Sequence, residues 1–391
     1  MELKLQDNLF DTVYDRRDSD SHKWRNVPPG VPSMWVADMD FMSPEPVVQA
    51  LKKRMAEEFY GYPLPADDYN EVVLSWFKHK HHYPPDKISM IPVTGIIPAL
   101  SVILQRYSSP GDGVIIQSPV YYRFEEIIGK QQRTVLKNEL FLDEQGEYRM
   151  NFDHLAVLKA LRPKIFVLCS PHNPVGKIWT YNDLVAVADF CLQHNILLVA
   201  DEIHCDLVLP GYTFHSMALL PEKYRENLII LNSSTKTFNI AGLRGGHVFV
   251  FNDETRKELT PLFDTYGINK INTSFFTATR AGYLYCCDWV NSLNQYLLGN
   301  FLFVSSFLQQ RLPLLKTFRH MATYLLWIDY RQLNMSEDAF FLILNNEIIL
   351  SKGSVFGQEG KGFFRMNIAC PREILKEALL ILEKKLTNII N

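Results

Sequence analysis

The stretch Ile196-Leu197-Leu198-Val199-Ala200-Asp201-Glu202-Ile203-His204 decides the reading of this chain. Five consecutive apolar residues do not alternate as a half-exposed strand would. They read as a strand covered on both faces, as in a parallel sheet. Polar residues follow at once, at the strand's carboxyl end. Two other stretches repeat the pattern: Ile165–Cys169 runs into Ser170-Pro171-His172-Asn173-Pro174-Val175-Gly176, and Leu228–Leu231 runs into Asn232-Ser233-Ser234-Thr235-Lys236. Open parallel sheets bind ligands beyond the carboxyl ends of their strands. Three consecutive candidate strands therefore deliver Asn173, Asp201 and Lys236 to one rim.

Working outward, short apolar runs alternate with amphipathic stretches from about residue 91 to 250. Val114–Gln117 and His247–Phe251 read as further strands, and Tyr122–Gly129 and Tyr181–His194 as helices. The expected architecture is α/β, a mostly parallel sheet covered by helices on both faces. Before it, Asp7–Trp24 is charged and irregular and Pro28-Pro29-Gly30 is a turn. Pro44-Glu45-Pro46 opens a helix over Val47–Phe59, ended by Gly61, with proline in the first turn where its missing N–H costs little. After about residue 284 come a long helix (Asp288–Arg311), a strand (Thr323–Asp329), a helix (Ser336–Leu344), a strand (Phe363–Ile368) and an amphipathic helix (Arg372–Ile390). The expected division is residues 1–50 as the N-terminal segment of a smaller α+β domain, 51–284 as the large domain, and 285–391 as the remainder of the small one.

A chain of 391 residues is long enough for two domains. Its composition, 47% hydrophobic and 21% charged, is that of an ordinary globular protein. The net charge is −3 with no basic block, so neither nucleic acid nor an anionic membrane is an expected partner. No apolar run is long enough to span a bilayer, and Met1–Leu5 has no apolar leader character. The six cysteines form no C-x-x-C pair, which fits a reducing cytoplasm. Cys286-Cys287 reads as part of a helix. His79-Lys80-His81-His82 lacks a carboxylate and metal-helix spacing; it reads as a solvated helix end, and no metal is expected. The absence of G-x-G-x-x-G argues against a dinucleotide fold.

The residue types at the rim point to a chemistry. Lys236 lies in a hydroxyl-rich turn where Ser233 and Thr235 can donate to phosphate oxygens. Arg244, eight residues on, can add a bidentate charge contact. Thr94-Gly95-Ile96-Ile97 precedes a helix-forming stretch whose first amides suit an anion. A lysine, a phosphate cradle and a carboxylate at a strand end are what pyridoxal 5′-phosphate (PLP) needs. The lysine forms the imine, and the carboxylate keeps the pyridine nitrogen protonated. Singly, each residue has an ordinary reading: a solvated lysine, a helix-capping aspartate, a turn asparagine. The combination at three strand ends carries the inference.

The order Gly95…Asn173-Pro174…Gly176…Asp201-Glu202…Ser233-x-x-Lys236…Arg244…Arg365 resembles fold-type I PLP enzymes of the class I/II aminotransferase superfamily. More narrowly, Ser33–Phe41, Tyr60-Gly61-Tyr62, Gly95–Ala99, Ser118–Tyr121, Cys169–Gly176, Asp201–Leu207, Lys236–Leu243 and Arg365–Arg372 resemble the MalY/PatB-type cystathionine β-lyase, or C–S lyase, branch. The resemblance implies a seven-stranded-type sheet and assigns roles by position. Lys236 would be the Schiff-base lysine and proton shuttle, Asp201 the partner of the pyridine nitrogen, Asn173 a donor to the ring's phenolic oxygen, and Tyr121 the stacking ring. His204 stands where many relatives carry tyrosine. Ile96, Ile97, Ser233, Thr235 and Arg244 would hold the phosphate. Tyr62 would reach it from a neighbouring subunit, which implies a homodimer. Arg365 would grip the substrate α-carboxylate.

The sequence departs from the branch at Thr235, where serine is common, at Arg244, and in the bulky Phe275-Phe276 within 271–280, a stretch expected near the subunit interface and substrate entrance. The implied activity is α,β-elimination from L-cystathionine or related S-substituted cysteines. The alternatives are an aminotransferase and, from another class, a PLP-binding regulator acting through a protein partner.

Overall fold

The computed structural model describes residues 9–83 and 88–390. Met1–Leu5 and Asp7, read above from sequence, lie outside them. The helices are α1 (Glu45–Met55), α2 (Tyr69–His81), α3 (Ile96–Tyr107), α4 (Arg123–Lys130), α5 (Phe152–Leu158), α6 (Tyr181–Gln193), α7 (Ser234–Thr237), α8 (Asp253–Thr265), α9 (Thr273–Tyr285), α10 (Cys287–Arg311), α11 (Glu337–Leu344) and α12 (Arg372–Ile390). The strands are β1 (Ser89–Val93), β2 (Gly113–Ile116), β3 (Thr134–Lys137), β4 (Phe141–Leu142), β5 (Tyr148–Arg149), β6 (Ile165–Cys169), β7 (Leu197–Asp201), β8 (Leu228–Asn232), β9 (Gly246–Val250), β10 (Lys316–Thr317), β11 (Leu325–Asp329), β12 (Ser351–Lys352) and β13 (Phe363–Asn367).

Seven strands form the main sheet in the order β1-β9-β8-β7-β6-β2-β3. Strands β3, β2, β6, β7 and β8 run parallel, and β9 is antiparallel to both of its neighbours. The continuous apolar runs are explained by the two cores they serve. Phe166, Leu168, Leu198, Ala200 and Ile230 face one buried cluster, while Ile165, Val167, Leu197, Val199 and Ile229 face the other. Period-two alternation persists, but both faces are apolar because helices cover both. A second, antiparallel sheet has the order β10-β11-β13-β12, and β4 and β5 form a separate two-stranded ribbon.

Most expected elements are present with ends moved by one or two residues, a shift inherent in frayed termini. Three expectations need correction. The first helix stops at Met55, not Phe59. Its continuation has nothing to pack against: Phe59, Tyr60, Tyr62 and Leu64 are 80%, 65%, 107% and 90% exposed. The His79–His82 segment is not merely a solvated end. His81 is buried and its Nε2 lies 2.7 Å from Asp206 Oδ1. Asp206 also accepts from Trp76 Nε1 at 3.0 Å and Thr237 Oγ1 at 2.7 Å, so this hub ties α2 to the turn that carries Lys236. Finally, Cys286-Cys287 marks the junction of α9 and α10, with Cys286 buried and Cys287 exposed.

Candidate active site

A cavity of about 580 Å³ opens at the carboxyl ends of the parallel strands. It gathers ten of the residues singled out from sequence: Gly95, Ile96, Ile97, Tyr121, Asn173, Asp201, His204, Thr235, Lys236 and Arg244. Strand register explains the meeting, because Cys169 pairs with Asp201 and Asp201 with Leu231. Three strands therefore end at one level. The floor is buried at Cys169, Asn173, Asp201, His204 and Thr235, whereas Pro98, Ala241 and Arg244 form an exposed rim.

Lys236 sits in the single turn α7, whose N-cap Ser233 accepts the Thr235 amide. Its Nζ donates to the Ala37 carbonyl at 2.7 Å. Burial pushes the amine down to about 8, although the nearby Asp38 and Asp201 carboxylates oppose the shift. Asp201 responds in the opposite sense: burial raises its carboxyl to about 7, against the Ile203 amide and the Lys236 charge. A carboxylate so placed is costly to ionise unless a cation faces it. His204 is held down to about 3 by burial, and its Nδ1 has no hydrogen-bond partner.

Arg365 lies just behind the cavity wall on β13. Its Nη1 donates to Asn173 Oδ1 at 3.1 Å and its Nη2 to the Trp35 carbonyl at 2.8 Å. The guanidinium lies 4.7 Å over the Phe356 ring, and its buried Nε is unpartnered. Ser233 is also behind the wall. Its hydroxyl donates to the Gly245 carbonyl at 2.7 Å and contacts Thr235 Oγ1 at 2.8 Å. Tyr62 is fully exposed and lines no part of this chain's cavity. Phe275, in the stretch expected near the entrance, is buried directly behind Gly245, which lines the cavity. It packs against Gly245, where an added Cβ would lie 2.3 Å from Phe275 Cγ. Glycine beside Arg244 is thus dictated by a close approach.

Sequence reasoning missed how residues 35–41 serve the site. Asn367 Nδ2 donates to the carbonyls of Val36 and Asp38 at 2.7 and 2.6 Å, the two that flank Ala37. Asn239 Nδ2 donates to those of Met39 and Phe41 at 3.0 and 2.8 Å, and its Oδ1 accepts the Met39 amide. The buried Lys23 pairs with Asp40 at 2.9 Å. This segment therefore bridges the lysine turn and the arginine strand and fixes the Lys236 acceptor. The available signal was spacing: Asn239 lies three residues after Lys236, and Asn367 two after Arg365 on the same strand face. Arg123, which also lines the cavity, was missed as well.

His81, Cys205 and Asp206 form the one cluster of potential metal-ligating groups found among the described residues. Hydrogen bonds already occupy both Asp206 oxygens, so the cluster reads as a structural hub. The cavity instead fits PLP. It offers a half-buried amine of lowered basicity, a buried carboxyl lacking a full counter-charge, and an imidazole nitrogen without a partner. The first-turn amides of α3 lack intrahelical acceptors and, with Thr235 and Arg244, suit a phosphate.

Residues 34–382 match the family described as Aminotransferase class I and II. The chain is 32% identical over 382 residues to the cystathionine beta-lyase PatB of Bacillus subtilis, covering 95% of this chain and 97% of the relative. It superposes with a TM-score of 0.92 on the PLP-bound putative aminotransferase of Clostridium difficile, at 34% identity and with 98% and 99% of the two chains covered. The PLP-containing cystalysin of Treponema denticola gives a TM-score of 0.92 at 32% identity, over 97% and 99% of the chains. The chain belongs to the aminotransferase class I and II family.

Proposed function

We propose that this protein is a PLP-dependent carbon–sulfur β-lyase that cleaves L-cystathionine or a related S-substituted cysteine, with water, to pyruvate, ammonia and a thiol. The observation that carries the reading is the convergence of Lys236, Asp201 and Asn173 on one cavity with Arg365 directly behind it, in a chain alike over nearly its full length to PatB, a cystathionine beta-lyase. When bound, PLP supplies an aldehyde that condenses with amines and a protonated ring that withdraws electrons from the substrate's α-carbon.

The chain's own groups do the rest. Thr235, Arg244 and the Ile96 and Ile97 amides would hold the phosphate, with Ser233 bracing Thr235 from behind. Asp201 would keep a proton on the pyridine nitrogen, Asn173 and His204 would offer polar contacts to the ring, and Tyr121 would stack on it. Arg365 binds the α-carboxylate through a guanidinium fork, which orients the Cα–H bond toward Lys236. The Lys236 amine, neutral enough near pH 8 to act as a base, takes the α-proton and delivers one to the departing sulfur. The exposed run Phe59–Leu64 is the natural contact for a second copy, with Tyr62 reaching the partner's phosphate site. A dimer's mass in light scattering, lost when Phe59 and Leu64 become serine, tests this homodimer. The cysteine usage and the lack of a membrane-crossing helix among the described residues support a cytoplasmic enzyme.

The deciding experiment is to incubate the purified holoenzyme with L-cystathionine, L-cystine and S-methyl-L-cysteine and to assay pyruvate, ammonia and thiol. Stoichiometric release supports the reading. Amino transfer to a keto acid without pyruvate would replace it with an aminotransferase, and neither reaction would leave a PLP-binding regulator.

The lowered Lys236 basicity makes a separate prediction. Only the neutral amine condenses with an aldehyde, so the rate of PLP loading into cofactor-free protein is expected to rise with pH to a midpoint near 8 rather than the usual 10.5. The same shift fixes the sign of a stability effect. Between those values the unfolded chain holds a proton that the fold does not, so the cofactor-free fold gains stability as pH rises through the window. Stopped-flow absorbance at several pH values checks the loading midpoint; a midpoint near 10.5 would contradict the burial argument.

A further inference from the structure

The cavity and its back wall carry four cations, Lys236, Arg244, Arg365 and Arg123, whereas Asp201 is the one acidic residue lining the cavity among those described. Under the lyase reading, on which this inference rests, three of the four have work: Lys236 with the cofactor aldehyde, Arg244 with phosphate, and Arg365 with the α-carboxylate. Arg123 has none. It is the first residue of α4, two after Tyr121, and is half-buried between the closed floor and the open rim. Both Arg123 and Tyr121 line the cavity, and the Arg123 charge, like that of Arg365, opposes the upward push of burial on the Tyr121 hydroxyl.

Arg123 is held but not consumed. Its Nη1 donates to Glu126 Oε2 at 2.6 Å, and among the described residues its Nε and Nη2 have no acceptor. Glu126 is divided between two cations, because Lys130 Nζ lies 2.5 Å from its other oxygen. Glu125, the other carboxylate of this turn, is paired with Lys137 at 3.0 Å, so Arg123, Lys130 and Lys137 share two carboxylates and one positive charge is left over. With the α-carboxylate anchored at Arg365 behind the buried wall, the sulfur substituent must leave toward the rim, past Tyr121. An arginine fork there matches a carboxylate in shape and charge.

We propose that Arg123 is a specificity-determining residue that binds an anionic group at the far end of the sulfur substituent, so that the enzyme prefers S-substituted cysteines ending in a carboxylate.

The test compares S-carboxymethyl-L-cysteine with S-ethyl-L-cysteine, which differ in ending in a carboxylate or a methyl group. Two readouts are taken: the kcat/KM ratio of the holoenzyme for pyruvate release, and the Kd ratio by calorimetry in the PLP-loaded Lys236→Ala chain. Arg123→Met is expected to cut the preference for the carboxylated compound about fivefold, the scale of one partly exposed ion pair. Arg123→Lys should restore part of it, and Glu126→Gln, which unties the guanidinium, should increase it. A ratio unmoved by Arg123→Met, or an equal loss for both compounds, would overturn the proposal. If the wild-type chain releases pyruvate from neither compound, the lyase reading falls instead, while the Kd ratio still decides the role of Arg123.

Discussion

Replacing Lys236 with alanine is expected to lower turnover by at least about 10³-fold and to remove the visible band of the lysine-bound cofactor. Two losses coincide. The amine that tethers the aldehyde disappears, and so does the base nearest the α-carbon. No other described side chain stands in: His204 is held neutral by burial but lies with the floor groups, and Tyr121 is pushed up to about 12, far too weak an acid to ionise near neutrality. The fold should survive, because α7 is capped by Ser233 and anchored through Thr237 to Asp206, neither of which involves the Lys236 side chain. Absorbance after adding PLP, with pyruvate release in parallel, checks this. A variant that keeps the band would place the tether on another amine. Turnover rescued by added methylamine would localise the defect to the missing base.

The Asp201→Asn chain is expected to lose about 10²–10³-fold in turnover while still binding PLP. Removing one partner of a buried charge pair costs about 3–5 kcal/mol, and each 1.4 kcal/mol is a factor of ten. The amide matches the carboxyl in size and can still accept the Ile203 amide hydrogen bond, so the loss reports charge rather than shape. Cofactor-free protein gives a second readout. The folded Asp201 carboxyl titrates near 7 against an ordinary 3.8, so across that interval the fold holds a proton that the unfolded chain has released. Wild-type stability without PLP should therefore fall as pH rises through this interval, and the Asp201→Asn chain should lack that contribution. Melting curves at several pH values test the sign. An unchanged slope would mean that the carboxyl is already countered in the empty cavity.

Both predictions concern residues that were legible in the sequence, and the reason is local. Burial on both faces forces unbroken apolar runs, and the residue at which a run stops marks a strand end. Asp201 follows such a run directly, and Asn173 and Lys236 lie in the short polar turns that follow theirs, so their proximity needs only neighbouring parallel strands. The first turn of α3 was legible for a similar reason, since Gly95 and Pro98 punctuate a helix start.

What sequence periodicity could not place was set by contacts between residues far apart in the chain. His81 looked like part of a solvated helix end until Asp206, 125 residues away, gave it a buried partner. Phe275 was expected near the entrance, but only the tertiary structure shows that its ring packs behind Gly245, which has no side chain to block it. Ser233 looked like a phosphate ligand, but its hydroxyl is turned to the Gly245 carbonyl.

The sequence by itself determined the sheet, the strand ends and the lysine, because solvent exclusion writes itself into runs of neighbouring residues. Only the tertiary structure decided which groups remain free to act. It bound Asn367 and Asn239 to the segment that positions Lys236, and it left Arg123, at the cavity lining, with guanidinium donors to spare. Hydrogen-bond satisfaction depends on distant partners, and no local pattern encodes it.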